Sequence, residues 1–109
     1  MSRNTAVIAA LNDQLRKGFL GGHVMLTIGI RSLPNDIQNA IFEAVNAFDR
    51  FTDDNDPYGE HDCATLTVKG CRVIWKIDYY DRTMTNASPD PADRAQTVRV
   101  LTIMLAEEY

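Results

Sequence analysis

The chain has 109 residues, a length that fits one domain covering residues 1–109. Its 15 acidic residues outnumber its 11 lysines and arginines, for a net charge of −4. This balance argues against sequence-independent binding to DNA or RNA, which needs a basic face. A membrane-spanning helix needs about 18 apolar residues, and no apolar run approaches this length. The N-terminus also lacks a secretory signal pattern, so we expect a cytoplasmic protein. Cys63 and Cys71 have neither zinc-module nor disulfide-scaffold spacing, and we expect no cofactor.

The first half of the chain predicts a helix, a strand and a second helix. Residues 4–20 carry apolar side chains at spacings of three and four, which is typical of one helix face: Ile8, Leu11, Leu15 and Phe19. Residues 23–30, HVMLTIGI, are almost continuously apolar and predict a central strand. A second helix is predicted to start at Ser32 or Leu33, with Pro34 in its first turn. Its buried stripe is Ile37, Ile41, Ala44 and Phe48.

The second half predicts a β-hairpin and a last helix. Residues 64–80, ATLTVKGCRVIWKIDYY, form two alternating runs joined at Lys69-Gly70. Asp90 before Pro91 predicts a helix start, with a strand left as the alternative because VLTIML is apolar on most sides. The predicted helix buries Val98, Leu101, Met104 and Leu105. The predicted fold is therefore α+β, a small three-stranded, mostly antiparallel sheet with about three helices in the order α-β-α-β-β-α.

The hairpin register brings two polar residues together. If Lys69 and Gly70 form the loop, His61 lies opposite Asp78 on the polar face of the sheet. An opposed imidazole and carboxylate can hydrogen-bond, which orients a general base, so His61 and Asp78 are the catalytic candidates if the protein is an enzyme. The alternative is a solvated polar face. Cys63, the nearest potential nucleophile, would need a lowered pKa.

The segment DDNDPYGEHD, residues 53–62, places acidic side chains around a proline and a glycine. An EF-hand pattern started at Asp54 aligns Gly59 correctly, but Thr65 stands where the loop needs a bidentate Glu. We assign no metal here, although a looser cation site has the candidate ligands Asp54, Asp56, Glu60 and His61. The alternative is an Asx-type turn, in which Asp and Asn side chains bind nearby backbone N–H groups.

The same loop is a candidate protein-binding surface. Tyrosine combines apolar area with a hydrogen-bonding tip and is enriched at interfaces, and strand alternation directs Tyr79 to the core and Tyr80 to the polar face. The predicted contact residues are Asp54, Asp56, Tyr58, Glu60, Asp78, Tyr80 and Asp81. An acidic surface of this kind fits a protein partner with a basic surface.

The stretches FTDDNDPYGEHD, WKIDYYDR, DPAD and RVLTIMLAEEY resemble a family of small, mainly alphaproteobacterial proteins that is catalogued only as a domain of unknown function. The likeness runs from IAALNDQLR at residues 8–16 to Tyr109. Cys63-Ala64 departs from the aromatic-Gly pair that family members often have, which speaks against family-wide chemistry at Cys63. The resemblance implies no known reaction, substrate or cofactor. It does imply a gene carried on plasmids and other mobile elements.

We therefore expect a small acidic protein-binding module, a bacterial mobile-element accessory protein of the anti-CRISPR or anti-restriction type. The alternative is a hydrolase or metal-assisted enzyme that uses His61 and Asp78 with the loop carboxylates. We expect no direct contact with nucleic acid or membrane. A homodimer sealed by an uncovered sheet edge is a third option.

Overall fold

The computed structural model describes residues 4–109, and its first element is the predicted helix. α1 spans Thr5–Gly18 and ends at Phe19, whose left-handed φ of 55° lets its N–H donate to the carbonyl of Leu15. Ile8 and Leu15 are fully buried, which confirms the predicted apolar face. Among residues 4–109, no helix is both long enough and apolar enough to cross a membrane.

The predicted strand over residues 23–30 is correct only in its first half. β1 covers His23–Leu26, and a single helical turn, α2, covers Ile28–Arg31. Ile30 is fully buried, so it reaches the core from a helix and not from a strand, whereas Ile28 is 67% exposed.

The second predicted helix is present and begins slightly later than expected. α3 spans Asn35–Ala47 and follows Pro34, which takes the N-cap position. Ile41 and Val45 are fully buried on its inner face. A long loop then leads to the sheet.

The predicted hairpin and its register are confirmed. β2 covers Cys63–Val68 and β3 covers Cys71–Tyr80, and every pair follows a two-residue loop, from Val68 opposite Cys71 to Cys63 opposite Lys76. Lys69 and Gly70 have φ values of 51° and 81°. Positive φ at both loop residues is the type I′ turn, whose twist matches that of the two strands.

The predicted last helix is wrong, because Val98–Leu105 forms strand β4. The segment after Asp90 and Pro91 makes only a short 3₁₀ turn at Arg94–Gln96 before the strand begins. β4 pairs antiparallel with β3 and parallel with β1. A strand with neighbours on both edges can be apolar on both faces, and periodicity alone does not separate that pattern from a buried helix.

The sheet has four strands in the order β1-β4-β3-β2 and is mixed, where three strands were predicted. The central position predicted for the first strand is also wrong. β1 lies at one edge of the sheet, and its Met25 is 56% exposed. The predicted α+β class is correct, but the central strand next to β3 is β4 and not β1.

The two faces of the sheet differ in what lies against them. On the covered face, Trp75 is fully buried and makes edge-to-face contacts with Phe48 and Phe51. The other face, which we call the open face, carries the alternate residues of β3, including Lys76 and Asp78. Any site assembled from α1, the loop and the sheet therefore lies on the covered side.

Candidate functional site

His61 lies on the covered side of the sheet, between two carboxylates and an aromatic ring. Its Nδ1 is 2.9 Å from Oδ1 of Asp13, and its Nε2 is 3.7 Å from Oδ2 of Asp56. The imidazole stacks on Phe51, with centroids 4.0 Å apart and ring planes 3° apart. These contacts fix both the position and the tilt of the imidazole.

Asp13 also binds Arg16, one helical turn further along α1. An Nη of Arg16 is 2.7 Å from Oδ1 of Asp13, and the guanidinium lies over the rings of Phe51 and Trp75 at 5.2 and 5.4 Å. Burial raises the pKa of Asp13, but hydrogen bonds from Arg16 and His61 outweigh it and hold that pKa below its ordinary value. The aromatic rings partly replace the water that the fully buried Arg16 has lost.

A second group of polar contacts centres on Asn12, which is fully buried. Its Nδ2 donates to the carbonyl of Glu60 at 3.0 Å and to the Tyr79 hydroxyl at 2.8 Å. Its Oδ1 accepts from Nε of Arg99 at 2.9 Å. The Tyr79 hydroxyl in turn donates to Oε1 of Glu60 at 2.9 Å.

Burial shifts the pKa values of two members of this second group, Tyr79 and Arg99. Burial is the main reason that the pKa of Tyr79 lies above its ordinary value, and the Glu60 carboxylate raises it further. The pKa of Arg99 is lowered by burial as well. Arg99 compensates by lying over the Tyr79 ring at 5.2 Å and by donating to the carbonyl of Pro91.

Together these side chains form one buried polar cluster: Asn12, Asp13, Arg16, Asp56, Glu60, His61, Tyr79 and Arg99. The cluster joins α1, the acidic loop, β3 and β4. Buried charges are costly unless they are paired and hydrogen-bonded, and each ionic member here has a partner of opposite charge or a hydrogen bond. The cluster is therefore well suited to hold the loop in one position.

The predicted pairing of His61 with Asp78 is wrong. β2 begins at Cys63, and the left-handed φ of 56° at His61 breaks the strand alternation before that point. Asp78 lies on the open face, where it accepts from Lys76 Nζ at 2.6 Å. The two catalytic candidates therefore lie on opposite sides of the sheet, and His61 is instead oriented by Asp13.

The acidic loop is ordered by its own Asp and Asn side chains, which accept from backbone N–H groups of the loop at a longer spacing than that of an Asx turn. Thr52 N–H donates to Oδ1 of Asn55 at 2.7 Å, and His61 N–H donates to Asp56 Oδ1 at 3.2 Å. Asp56 and Glu60 are buried, whereas Asp54 and the 79% exposed Tyr58 point outward.

Of the four candidate cation ligands of this loop, His61 and Asp56 lie close together, at 3.7 Å, whereas Asp54 is exposed. Across residues 4–109, no group of three or more His, Cys, Asp and Glu side chains could hold a metal ion. The Asp56 carboxylate is engaged by the His61 N–H, and Glu60 accepts from Tyr79.

The remaining contact residues lie elsewhere. Tyr80 is on the open face, where it lines a depression with His23, Met25 and Met84. Asp81 accepts from the Thr83 hydroxyl and the Thr85 N–H. The predicted interface is therefore divided between the loop and the open face.

Both cysteines are free thiols, as predicted. Cys63 is exposed at the start of β2, and burial of its sulfur, followed by the charges of Asp62 and Asp56, raises its pKa. A raised pKa disfavours the thiolate, which is the reactive form. Cys71 packs against the core.

Sequence reasoning missed half of the buried polar cluster, namely Asn12, Asp13, Arg16 and Arg99. Asn12 follows Ile8 by four positions and precedes Leu15 by three, so it lies within the apolar face of α1. A polar residue at such a position signals a buried hydrogen bond. Arg99 gives the same signal, because it interrupts the apolar run of β4.

The fold and the cluster define a class of protein: an α+β domain whose mixed sheet is tied to its first helix by a network of buried charges. The chain belongs to the family described as "Protein of unknown function (DUF3768)", whose family model matches residues 26–108, and the resemblance seen in the sequence is confirmed. No curated protein and no solved structure matches the chain. The matched range includes Glu60, His61 and Arg99 but not their partners on α1.

Proposed function

We propose that this protein is a non-catalytic protein-binding module whose contact surface is the outer rim of the acidic loop, defined as Asp53, Asp54 and Tyr58. The observation that carries the proposal is that some acidic side chains of the loop are buried and others are exposed. Asp56 and Glu60 turn inward and join the buried polar cluster, whereas the three rim residues are exposed. The rim therefore presents two carboxylates and an aromatic ring on a fixed backbone.

Preorganisation supports a binding role for the rim. Hydrogen bonds between Thr52 and Asn55 run in both directions, and the N–H of Gly59 donates to the carbonyl of Asp56 at 3.0 Å. A loop that is already ordered loses little conformational freedom when a partner binds. Tyr58 adds apolar area, which tyrosine supplies at interfaces with few rotatable bonds.

The chemistry of the rim favours a partner with a basic surface. The chain carries a net charge of −4, and complementary charge speeds association and selects partners. We propose that the partner is a nucleic-acid-binding complex of host defence, of the restriction or CRISPR type, and that the rim carboxylates occupy basic sites otherwise used by phosphates. In this role the protein would be an accessory inhibitor carried by a mobile element.

The test is binding to purified restriction and CRISPR effector complexes at increasing salt. We expect binding that weakens with salt, that competes with the nucleic acid of the complex, and that falls at least about tenfold in the Asp53→Asn, Asp54→Asn, Tyr58→Ala triple variant, equivalent to about 1.4 kcal/mol. The matched control is Asp36→Asn with Glu43→Gln, which removes two exposed charges from α3. Equal loss in the control, or no binding by the unmodified protein, would contradict the proposal.

A second candidate function, a hydrolase, is favoured by the contact between His61 and Asp13. A carboxylate 2.9 Å from Nδ1 fixes the tautomer that a general base needs. Assays with ester and phosphodiester substrates test this role, with His61→Asn compared with the unmodified protein. Turnover that survives in the variant would eliminate His61 as the base.

A further inference from the structure

The outer side of β2 is an unprotected strand edge. β2 is the last strand in the sheet order, and no strand among residues 4–109 pairs with its outer side. Exposed edges in natural proteins are usually blunted by lysines, prolines, bulges or shortness. β2 has six residues, Cys63–Val68, with the sequence CATLTV, and none of them is charged or a proline. β1, the other edge, has only four residues.

The hairpin register shows which backbone groups face outward. The N–H of Ile77 donates to the carbonyl of Asp62 at 2.7 Å, so these two opposed residues form a hydrogen-bonded pair. Because hydrogen-bonded and non-bonded pairs alternate along an antiparallel ladder, the N–H and C=O groups of Cys63, Thr65 and Thr67 point away from β3. No backbone hydrogen bond within residues 4–109 reaches them from that side.

A groove runs beside this edge. It has a volume of about 580 Å³ and lies between β2, at Leu66, and the end of α3, at Ala44, Ala47 and Phe48. Ala44, Ala47 and Phe48 make one part of the lining apolar, whereas Asp49, Arg50 and Asn55 make the rest polar. The apolar part can receive an apolar side chain from a strand added to β2. A strand added here would therefore gain both backbone hydrogen bonds and apolar contacts.

We propose that β2 pairs antiparallel with β2 of a second copy of this chain, which joins the two sheets into one. With Thr65 on the two-fold axis, Thr65 of one copy opposes Thr65 of the other. Cys63 of each copy then opposes Thr67 of the other, so all three outward-facing residues are paired. Asp62 precedes the strand and Lys69 follows it, so antiparallel pairing brings the acid of one copy near the lysine of the other. Parallel pairing would place lysine beside lysine.

The size of the contact sets its strength. A pair of six-residue strands with one groove on each side is small beside the about 1,200–2,000 Å² that stable interfaces bury. We therefore expect a dimer that forms with rising protein concentration and dissociates on dilution. This dimer does not depend on the rim residues of the acidic loop.

The experiment is a concentration series of molar mass by light scattering, with three variants of Thr65. The unmodified protein should move toward twice the chain mass of 12.2 kDa. Thr65→Pro removes an outward N–H without touching the bonds to β3, and Thr65→Lys places two lysines on the axis; both should stay at the mass of a single chain. Thr65→Val keeps the N–H and the branched side chain, and should dimerise like the unmodified protein. If Thr65→Pro fails to fold, Thr65→Lys still decides the result.

Disulfide trapping tests the register. Residues in a hydrogen-bonded pair have Cα atoms about 5.5 Å apart, a separation that a disulfide spans. In a Cys63→Ser background, Thr65→Cys should therefore give a covalent dimer on mild oxidation, whereas Thr67→Cys should not. A covalent dimer of Thr67→Cys with none of Thr65→Cys would overturn the register.

Hydrogen exchange distinguishes this occupant from others. The amides of Cys63, Thr65 and Thr67 should be protected at concentrations where the dimer forms, and should exchange freely in Thr65→Lys. A chain that stays monomeric throughout, or amides that become protected only when a different protein is added, would overturn self-pairing. The Asp53→Asn, Asp54→Asn, Tyr58→Ala variant should still dimerise, so this test and that of the proposed function fail independently.

Discussion

The Asn12 side chain connects α1 with three other elements of the fold. One side chain on α1 reaches the loop at Glu60, β3 at Tyr79 and β4 at Arg99. Its two donors and its acceptor are all used, in a site that is fully buried. Loss of this amide removes one hydrogen bond from each of Glu60, Tyr79 and Arg99.

We predict that Asn12→Ala is strongly destabilising. A buried polar group left unsatisfied costs about 1–3 kcal/mol, and more than one group is affected, so the free energy of unfolding should fall by at least about 2 kcal/mol. Urea denaturation measures the change. Asn39→Ala is the matched control, because Asn39 is an exposed helical asparagine on α3. A similar loss in both variants would show that the cluster contributes nothing special.

Asp13 should make the stability depend on pH in the acid range. Its pKa is lowered in the folded protein by hydrogen bonds from Arg16 and His61, which outweigh the effect of burial. A lowered folded-state pKa stabilises the fold above the unfolded value, about 3.9 for Asp, and this contribution is lost as the pH falls through the folded value.

We therefore predict that Asp13→Asn is less stable than the unmodified protein at neutral pH, and that the difference narrows below about pH 4, the ordinary range of an Asp carboxyl. Denaturation curves of the two proteins from neutral to acid pH measure it. A difference that stays constant over the whole range would contradict the role of the Asp13 charge.

The contrast between His61 and the hairpin shows what sequence can predict at this scale. The pairs from Cys63 to Lys76 were predictable, because a short turn and strand alternation are local properties. His61 lies just two residues before Cys63, yet its left-handed backbone takes it out of that alternation. Its real partner, Asp13, lies 48 positions earlier on a different element. No local pattern specifies such a contact.

Among the elements, the hairpin turn is held by a residue that fits it imperfectly. Lys69 has a φ of 51°, a left-handed conformation that a side chain such as lysine disfavours, whereas Gly70 adopts its φ of 81° without strain. The turn is therefore formed at a local energetic cost at Lys69.

We predict that Lys69→Asn stabilises the hairpin, since Asn tolerates the left-handed region and Asn-Gly is the preferred pair for this turn. The free energy of unfolding should rise by several tenths of a kcal/mol, up to about 1 kcal/mol. Gly70→Val should lower it, because a β-branched residue is strained at this φ. Thermal and urea denaturation measure both, and a destabilised Lys69→Asn would contradict this account of the turn.

β4 is the element whose prediction failed, for a physical reason. Its neighbours β1 and β3 supply hydrogen bonds on both edges, and both of its faces are largely buried. The resulting run, VRVLTIML, is apolar all round except at Arg99 and Thr102. Only the distant partner strands reveal it as a strand, so the α+β class was predictable whereas the strand count was not.

At the scale of the whole molecule, the covered side of the sheet and the outer edge of β2 carry the two proposed functions. The covered side holds the hydrophobic core and the buried polar cluster, which fixes the acidic loop against α1. The outer side of β2 lies at the far edge of the sheet from β1. Asn55 of the acidic loop lines the groove beside this edge, so partner binding at the rim and self-pairing at β2 use neighbouring parts of the surface.

The position of β4 also determines when the sheet can be completed. Within residues 4–109, β1 pairs only with β4, and the register joins His23 to Val100, 77 positions later. During synthesis the hairpin and the first strand emerge long before the strand that must lie between them. The sheet can therefore be completed only once β4, which lies between β1 and β3, has been synthesised. Contacts so distant along the chain slow folding. Until they form, β1 and the hairpin each have an unpaired strand edge at the place that β4 will take.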